Sequence, residues 1–304
     1  MISTKRRERD KYLIDLSSYE IVKIIKQGGF GIVYLVRNKI TNKQYAAKVN
    51  QAFDDIELYK RCSIREITIM MQIQNPTIIG FRGFSFQDFY GSNNVTLLMD
   101  FAERGSLYNM LVKEQKSQAD LDYDNTTKQI IMIGIAYGMM LLHKNHIIHR
   151  DLTPNNILLD EQLRPHISDF GLSKYFNPIS DVFSQSKNNV GTAPYMSPEI
   201  IDGRHYNLKT DVYSFGIILF EIICGHCAYP ELVNGKLTVL ELTRKVVQED
   251  CRPTFRIPIK HPLKALIQRC WSRNPAERPT FEELFNKLAH NSLGEWDDYI
   301  FDLD

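Results

Sequence analysis

The sequence predicts an α+β molecule in two lobes, a small antiparallel sheet of five strands with one main helix followed by a larger, mostly helical lobe. Three observations carry this. Between residues 19 and 101 the apolar residues come in short alternating runs separated by glycine and polar turns, with one stretch of helical period at 61–73. Glu103-Arg104-Gly105-Ser106 then breaks the pattern. Beyond it the chain reads as helix and loop, apart from one short buried run, Ile157-Leu158-Leu159. The break puts a lobe boundary near Ala102, and so short a connection leads us to expect a cleft between the lobes. The divisions are an N-terminal extension (1–18), a small lobe (19–101), a hinge at about 99–105, a large lobe (103–290) and an acidic tail (291–304).

The elements follow in order. Residues 1–17 open with Lys5-Arg6-Arg7 and Arg9, a charged start expected to be a mobile tail or a helix lying on the domain. Strands at 19–25 and 32–36 flank Gln27-Gly28-Gly29-Phe30-Gly31, where the glycines serve either as hairpin turn chemistry or to bring backbone N–H groups close to an anion. A third strand, 44–49, sets Lys48 among small apolar neighbours; it either faces solvent on an edge strand or has a partner. Helix 61–73 places Ile64, Ile67, Met70 and Met71 on one face, with Glu66 beside it, either solvated or reaching Lys48. Asn75-Pro76 ends the helix, and strands at 78–86 and 95–101 complete the small lobe.

In the second lobe, Ser106 is the expected N-cap of a helix at 107–112, and 130–142 reads as a mostly apolar helix. The run 211–220 is apolar nearly all round and predicts a buried central helix stopped by Gly225 and Pro230. Further helices are expected at 237–247, 262–271 and 280–288, with Arg278 in the loop between the last two requiring a buried acid. Residues 172–190 lack a hydrophobic period, contain Ser173, Tyr175, Ser180, Ser184 and Ser186, and read as a long mobile loop.

Bulk properties exclude some classes. At 304 residues with 43% hydrophobic and 24% charged residues, the composition is globular. Lys plus Arg number 37 against 36 for Asp plus Glu, and a net charge of +1 gives no argument for nucleic-acid or membrane attraction. Five scattered cysteines, no signal sequence and no long apolar run lead us to expect a reduced, cytoplasmic protein. Cys224-Gly225-His226-Cys227 has zinc or redox spacing without a second pair, and reads as a helix end.

The chemistry concentrates in His149-Arg150-Asp151-Leu152-Thr153-Pro154-Asn155-Asn156, a loop between the apolar helix and the short strand. A carboxylate at Asp151 and a carboxamide at Asn156 can set a proton acceptor beside a metal ligand; a plain Asx-rich turn is the alternative. His166-Ile167-Ser168-Asp169-Phe170-Gly171 supplies a second acid at the end of a strand.

Together these parts resemble a eukaryotic protein kinase domain over about residues 19–290. The order glycine loop, Ala-x-Lys, helix Glu, His-Arg-Asp-Leu-x-Pro-x-Asn, Asp-Phe-Gly and Pro-Glu carries the resemblance. It implies the bilobal protein kinase fold, with ATP bound between the lobes and a protein as the substrate. By resemblance Gly28, Gly31 and Val33 cover the phosphates and adenine, with Gln27, Gly29, Ala46 and Leu158 completing the nucleotide contacts. Lys48, held by Glu66, grips the α and β phosphates; Asn156 and Asp169 hold Mg²⁺, or Mn²⁺; Asp151 accepts the proton of the substrate hydroxyl. Met99 lies at the back of the adenine pocket, and the backbone of Asp100 and Ala102 pairs with the base. The resemblance also stacks His149, Phe170, Met70 and Phe81 in an apolar column, gives Arg150 a phosphorylated loop to grip, pairs Glu199 with Arg278, and makes Asp211 the holder of the catalytic loop.

Gly191-Thr192 is similar to serine/threonine kinases, whereas Asp211-Val212-Tyr213-Ser214-Phe215-Gly216 and Cys270-Trp271 are similar to tyrosine kinases. That mixture resembles the tyrosine-kinase-like group of serine/threonine kinases. Two positions depart from the pattern: Lys26 stands at the first loop glycine, and Thr153 stands where serine/threonine kinases usually carry Lys. A weakly active or inactive nucleotide-binding scaffold, and a tyrosine or dual-specificity kinase, stay open as alternatives. The oligomeric state is left undetermined.

Overall fold

The computed structural model describes residues 9–28, 31–50, 56–176 and 191–290. Gly29, Lys5-Arg6-Arg7, the Ser180, Ser184 and Ser186 stretch and residues 291–304 lie outside them. Contacts divide the chain into two compact units, Met1–Glu103 with Asp169–Gly171, and Arg104–Ser168 with Leu172–Asp304.

The first unit is built on a five-stranded antiparallel sheet. Its strands are β1 (Tyr19–Gly28), β2 (Gly31–Asn38), β3 (Gln44–Asn50), β4 (Phe81–Ser85) and β5 (Thr96–Asp100), in the order β1-β2-β3-β5-β4. Lys48 therefore lies on the central strand, opposite Val33 on one side and Leu97 on the other, and the edge-strand reading of this lysine falls. Because side chains alternate along a strand, the register sorts the sheet into two faces. Tyr34, Val36, Ala47, Val49 and Leu98 close an apolar core on one face. Val33, Leu35, Ala46, Lys48, Leu97 and Met99 share the other.

Helix α1 (Ile56–Gln72) packs on β4 and begins earlier than the apolar period predicts. Its early turn is anchored by Tyr59, a buried side chain whose hydroxyl donates to Asn50 O at 3.2 Å and accepts from Val95 N at 2.7 Å. The predicted apolar face also needs correction. Ile64 is 47% exposed, and the buried positions are Tyr59, Ser63, Glu66, Ile67, Ile69 and Met70, with Ile73 just past the helix end. Two polar residues sit among them, which is why apolar spacing alone misplaced the face.

Ahead of the sheet, most of the expected tail or covering helix lies outside the described residues; of those described, Arg9 and Asp10 are helical and residues 12–14 run along β4. Leu13 forms a parallel bridge with Phe84, Phe84 N donates to Tyr12 O at 2.8 Å, and Ile14 N donates to Phe84 O at 3.0 Å. These bonds satisfy an edge strand's backbone groups.

The second unit is mostly helical, as predicted, but not wholly. Strand β6 (Gly105–Ser106) pairs with β8 (Ile157–Leu159), which pairs with β9 (Pro165–Ile167); β7 (Ile147–Ile148) pairs with β10 (Lys174–Tyr175). Runs of two or three residues show no period, so apart from β8 and the strand leading to Asp169, which is β9, these were read as loop. Ser106 caps α2 (Leu107–Gln115), accepting from Asn109 N at 3.4 Å. Helix α3 (Asn125–Lys144) starts before its apolar run because Asp124 caps it, accepting from Thr127 N at 2.8 Å. After the short α4 (Pro198–Ile201) comes the buried central helix α5 (Lys209–Cys224). Gly225 at φ 67° ends α5; Pro230 does not stop it but opens the next short helix, α6 (Pro230–Val233), its missing N–H costing nothing at a first turn.

Helices α7 (Val239–Gln248), α8 (His261–Cys270) and α9 (Phe281–His290) follow. A capping box of Thr238 and Glu241 opens α7. Helices α5 and α8 pack closely: a Cβ on Gly216 would lie 2.7 Å from Cys270 Cβ. Among the described residues no helix is long and apolar enough to cross a membrane, and no cluster of three His, Cys, Asp or Glu could hold a metal. Cys224 is the last residue of α5, the helix end expected for this cysteine pair.

Candidate functional site

In the first unit the functional side chains gather on the Lys48 face of the sheet. Lys48 Nζ donates to Glu66 Oε1 at 2.7 Å and to Asp169 Oδ1 at 2.8 Å. Lys48 and Glu66 are 8% and 2% exposed, so neither charge is satisfied by water. Burial by itself would push the ammonium down, but the Asp169 and Glu66 carboxylates outweigh it and hold Lys48 above its ordinary pKa. The lysine stays charged. Asp169 follows Ser168 in sequence yet falls by its contacts in the first unit, with a left-handed φ of 64° that few non-glycine residues adopt. Gly171 N approaches Asp169 Oδ1 at 3.4 Å, and a Cβ on Gly171 would stand 3.7 Å from Glu66 Oε2.

The other first-unit candidates occupy the same sheet. Gln27 and Gly28 end β1, and Gly31 begins β2 at φ 134°, where a Cβ would collide with Val49 O at 2.1 Å; only glycine fits. Val33 is opposite Lys48, and buried Ala46 is opposite buried Met99. Asp100 N donates to Gly80 O at 2.8 Å, and its carboxylate accepts from Arg82 at 2.7 and 2.5 Å. What Asp100 can offer a ligand is therefore its carbonyl. Ala102 is buried.

In the second unit the loop 149–156 hangs from one buried carboxylate. Asp211, in the first turn of α5 and fully buried, accepts from His149 N and Arg150 N at 2.9 Å each and lies 2.9 Å from His143 Nε2. Arg150 is held at φ 67°, a conformation that these bonds stabilise. His149 Nδ1 accepts from Asp151 N at 3.3 Å, so its proton is on Nε2, which donates to Ser168 O at 3.0 Å. Asp151 Oδ1 accepts from Thr192 N at 3.0 Å and Thr192 Oγ1 at 2.8 Å; Asp151 Oδ2 accepts from Asn156 Nδ2 at 3.0 Å. The same amide nitrogen donates to Asp151 O at 2.8 Å, which leaves the amide oxygen as what Asn156 offers a cation. Leu158 lies on β8, opposite His166.

Arg150 Nε donates to Leu172 O at 2.6 Å and Nη1 to the Tyr206 hydroxyl at 3.2 Å. Thr153 is buried at 2% exposed. Arg278 and Glu199 form the expected pair, bidentate at 2.6 and 2.8 Å with both side chains buried. Met70, Phe81, Phe170 and His149 are each buried within their own units.

Sequence reasoning missed the supporting cast. Thr192 entered it only as a subgroup marker, with nothing to aim it at Asp151, and His143, Ser168 and Tyr206 carried no signal. Asn50 escaped as well; its amide lies near the hydrogen-bond limit of Glu66 Oε2, at 3.5 Å.

The family model described as "Protein kinase domain" matches residues 19–288. The chain is 32% identical over 289 residues to Mitogen-activated protein kinase kinase 1 of Arabidopsis thaliana, covering 94% of this chain and 77% of that protein. It is 30% identical over 285 residues to Serine/threonine-protein kinase STY17 of the same plant (92% and 45% covered), and 30% identical over 284 residues to Serine/threonine-protein kinase TNNI3K of Mus musculus (91% and 32%). A buried lysine held by a helix glutamate and the Asp of Asp-Phe-Gly, the loop 149–156 hung from the central helix, and a match that spans both units make the chain a member of the protein kinase family, most like its tyrosine-kinase-like group.

Proposed function

We propose that this chain transfers the γ-phosphate of ATP to serine or threonine hydroxyls of protein substrates. The observation that carries the reading is the Lys48–Glu66–Asp169 trio, a permanently charged ammonium fixed on a central strand by two carboxylates. Phosphoryl transfer depends on positioning and charge neutralisation more than on covalent chemistry, and this trio supplies both. Lys48 grips the α and β phosphates, and Glu66 fixes where its ammonium stands. Asp151, with hydrogen bonds on both oxygens, orients the substrate hydroxyl and takes its proton. Gln27, Gly28, Gly29, Gly31 and Val33 line the phosphates and adenine with Ala46, Met99, Ala102, Leu158 and the Asp100 carbonyl. Asn156 and Asp169 would each offer a hard oxygen donor of the kind that suits Mg²⁺ or Mn²⁺, which when bound neutralises charge on the phosphates.

The serine/threonine preference rests on Gly191-Thr192 and on relatives whose names carry that description. The catalytic domain in this reading is 19–290, flanked by an extension at 1–18 and an acidic segment at 291–304, and it works in the cytoplasm. Wild type, Lys48→Met and Asp151→Asn, incubated with ATP and Mg²⁺ and followed by mass spectrometry of residues 172–190, test the reading. Phosphate appears in wild type and is lost in both variants; equal phosphate in all three overturns the assignment.

Thr153 favours a second reading, a nucleotide binder with slow turnover. The arginine of the same loop is engaged by Leu172 O and the Tyr206 hydroxyl, so no loop cation replaces the lysine absent at 153. One missing γ-phosphate stabiliser is worth on the order of 3 kcal/mol, about a hundredfold in rate. Thr153→Lys is expected to raise turnover toward that factor, measured by steady-state phosphate transfer; an unchanged rate removes this second reading.

A further inference from the structure

The segment ahead of β1 does more than cover an edge. The Tyr12 ring lies 5.4 Å from the Phe81 ring, inclined at 31°, and the Tyr12 hydroxyl accepts from Gln74 Nε2 at 2.9 Å. Ile14, two residues further along, packs on the sheet core of Tyr34, Val36, Ala47, Val49 and Leu98. The backbone is fastened as firmly, through Phe84 N to Tyr12 O and Ile14 N to Phe84 O. Gly83, at φ 149°, makes this approach possible, since a Cβ there would stand 2.4 Å from Ile14 Cγ2 and 2.6 Å from Tyr12 O.

Gln74 stands two residues beyond the end of α1, whose last turn is extended by Ile73 N donating to Ile69 O at 2.9 Å. Glu66 and Met70 are four residues apart on α1, the spacing of one helical stripe, and both are buried. Lys48 belongs to the sheet and Glu66 to the helix, so their 2.7 Å contact requires a fixed placement of α1 on the sheet. Tyr12 touches both bodies, the sheet through Phe81 and the end of the helix through Gln74.

We propose that Tyr12 is a positioning residue which, with Gln74, pins the C-terminal end of α1 to the sheet and so sets the approach of Glu66 to Lys48. The inference deepens the reading of Lys48 and Glu66 as the phosphate grip and rests on it. Tyr12 touches neither ATP nor the substrate; its effect passes through the helix.

The test measures ATP affinity in the presence of Mg²⁺ by calorimetry on the full chain. Its variants are Tyr12→Phe, Gln74→Ala, their double, Tyr12→Ala, and Tyr12→Ala combined with Glu66→Gln. Gly83→Ala joins the set as a change that displaces the segment while leaving Tyr12 in place. Tyr12→Phe and Gln74→Ala each remove the same hydrogen bond, so each weakens binding about three- to tenfold and the double weakens it no further. Tyr12→Ala and Gly83→Ala weaken it more. In the Glu66→Gln background, Tyr12→Ala has no additional effect, an outcome that general destabilisation would not produce. Amide exchange across residues 62–72 rises in Tyr12→Ala, and exchange in β2, β3 and β5 does not. Unchanged affinity in the single variants, additive losses in the double, or a Tyr12→Ala effect that survives Glu66→Gln overturns the proposal. If wild type binds no ATP, the phosphate-grip reading fails on its own, and exchange in α1 decides the clamp: unchanged exchange in Tyr12→Ala sinks it.

Discussion

The Glu221 carboxyl is buried inside α5, and burial raises its pKa to about 7 although Ala228 N and the Tyr195 hydroxyl both donate to it at 2.8 Å. An unfolded chain releases that proton near 4.5, so between the two values the folded state binds more protons. Stability from this group is complete below about pH 4.5 and is lost as pH rises through about 7. Glu221→Gln keeps an acceptor for Ala228 and a polar partner for Tyr195 without a charge to bury. Its melting temperature is expected to stay flat across that window while wild type declines, a gap on the order of 3 kcal/mol on the alkaline side. Asp151, Asn156, Asp169 and Lys48 stood out in the sequence because few other roles need those residue types in that order. Thr192 did not, because its contact with Asp151 joins residues 41 positions apart and leaves no local pattern.

Elements here are anchored by buried charges as much as by apolar faces. Asp211 at the head of α5 accepts the main-chain amides of His149 and Arg150, and Asp211→Ala leaves both unpaired in a dry site. Urea melts are expected to show a loss of about 3 kcal/mol. The Arg278–Glu199 pair predicts a different pattern. Arg278→Met strands a buried carboxylate and costs ~3–5 kcal/mol, whereas adding Glu199→Leu recovers much of the loss, because no charge then remains to be solvated. Legibility follows the same division. Ser106 and Gly225 act at the helix ends where the sequence placed them, since capping chemistry is local. The stripe of α1 was misread because Glu66 and Ser63 are buried for the sake of partners on another element.

At the scale of the whole chain, the mixed alternating and helical periods announced the α+β class, and the five-stranded sheet followed from runs long enough to count. Of the paired short strands β6 to β10, only β8 and the strand leading to Asp169 were legible, because the pairing of the rest is tertiary. With charges of 37 and 36 nearly cancelling, bulk charge offers no handle for a partner, and recognition has to come from local arrangement. Nucleotide binding is expected to show as a global gain. ATP with Mg²⁺ at a hundred times its Kd adds about 2.7 kcal/mol to the unfolding free energy, read as a shift in the thermal melt that Lys48→Met largely abolishes.

The crossing of α5 and α8 bears on how this sequence drifts over generations. Gly216 and Cys270 stand so close that a methyl group on the first has no room while the second keeps its Cβ. The two positions are therefore expected to change together. Among relatives, alanine at the first position should be found where the second has become glycine, and a library varying both together should return that pairing far more often than either change alone.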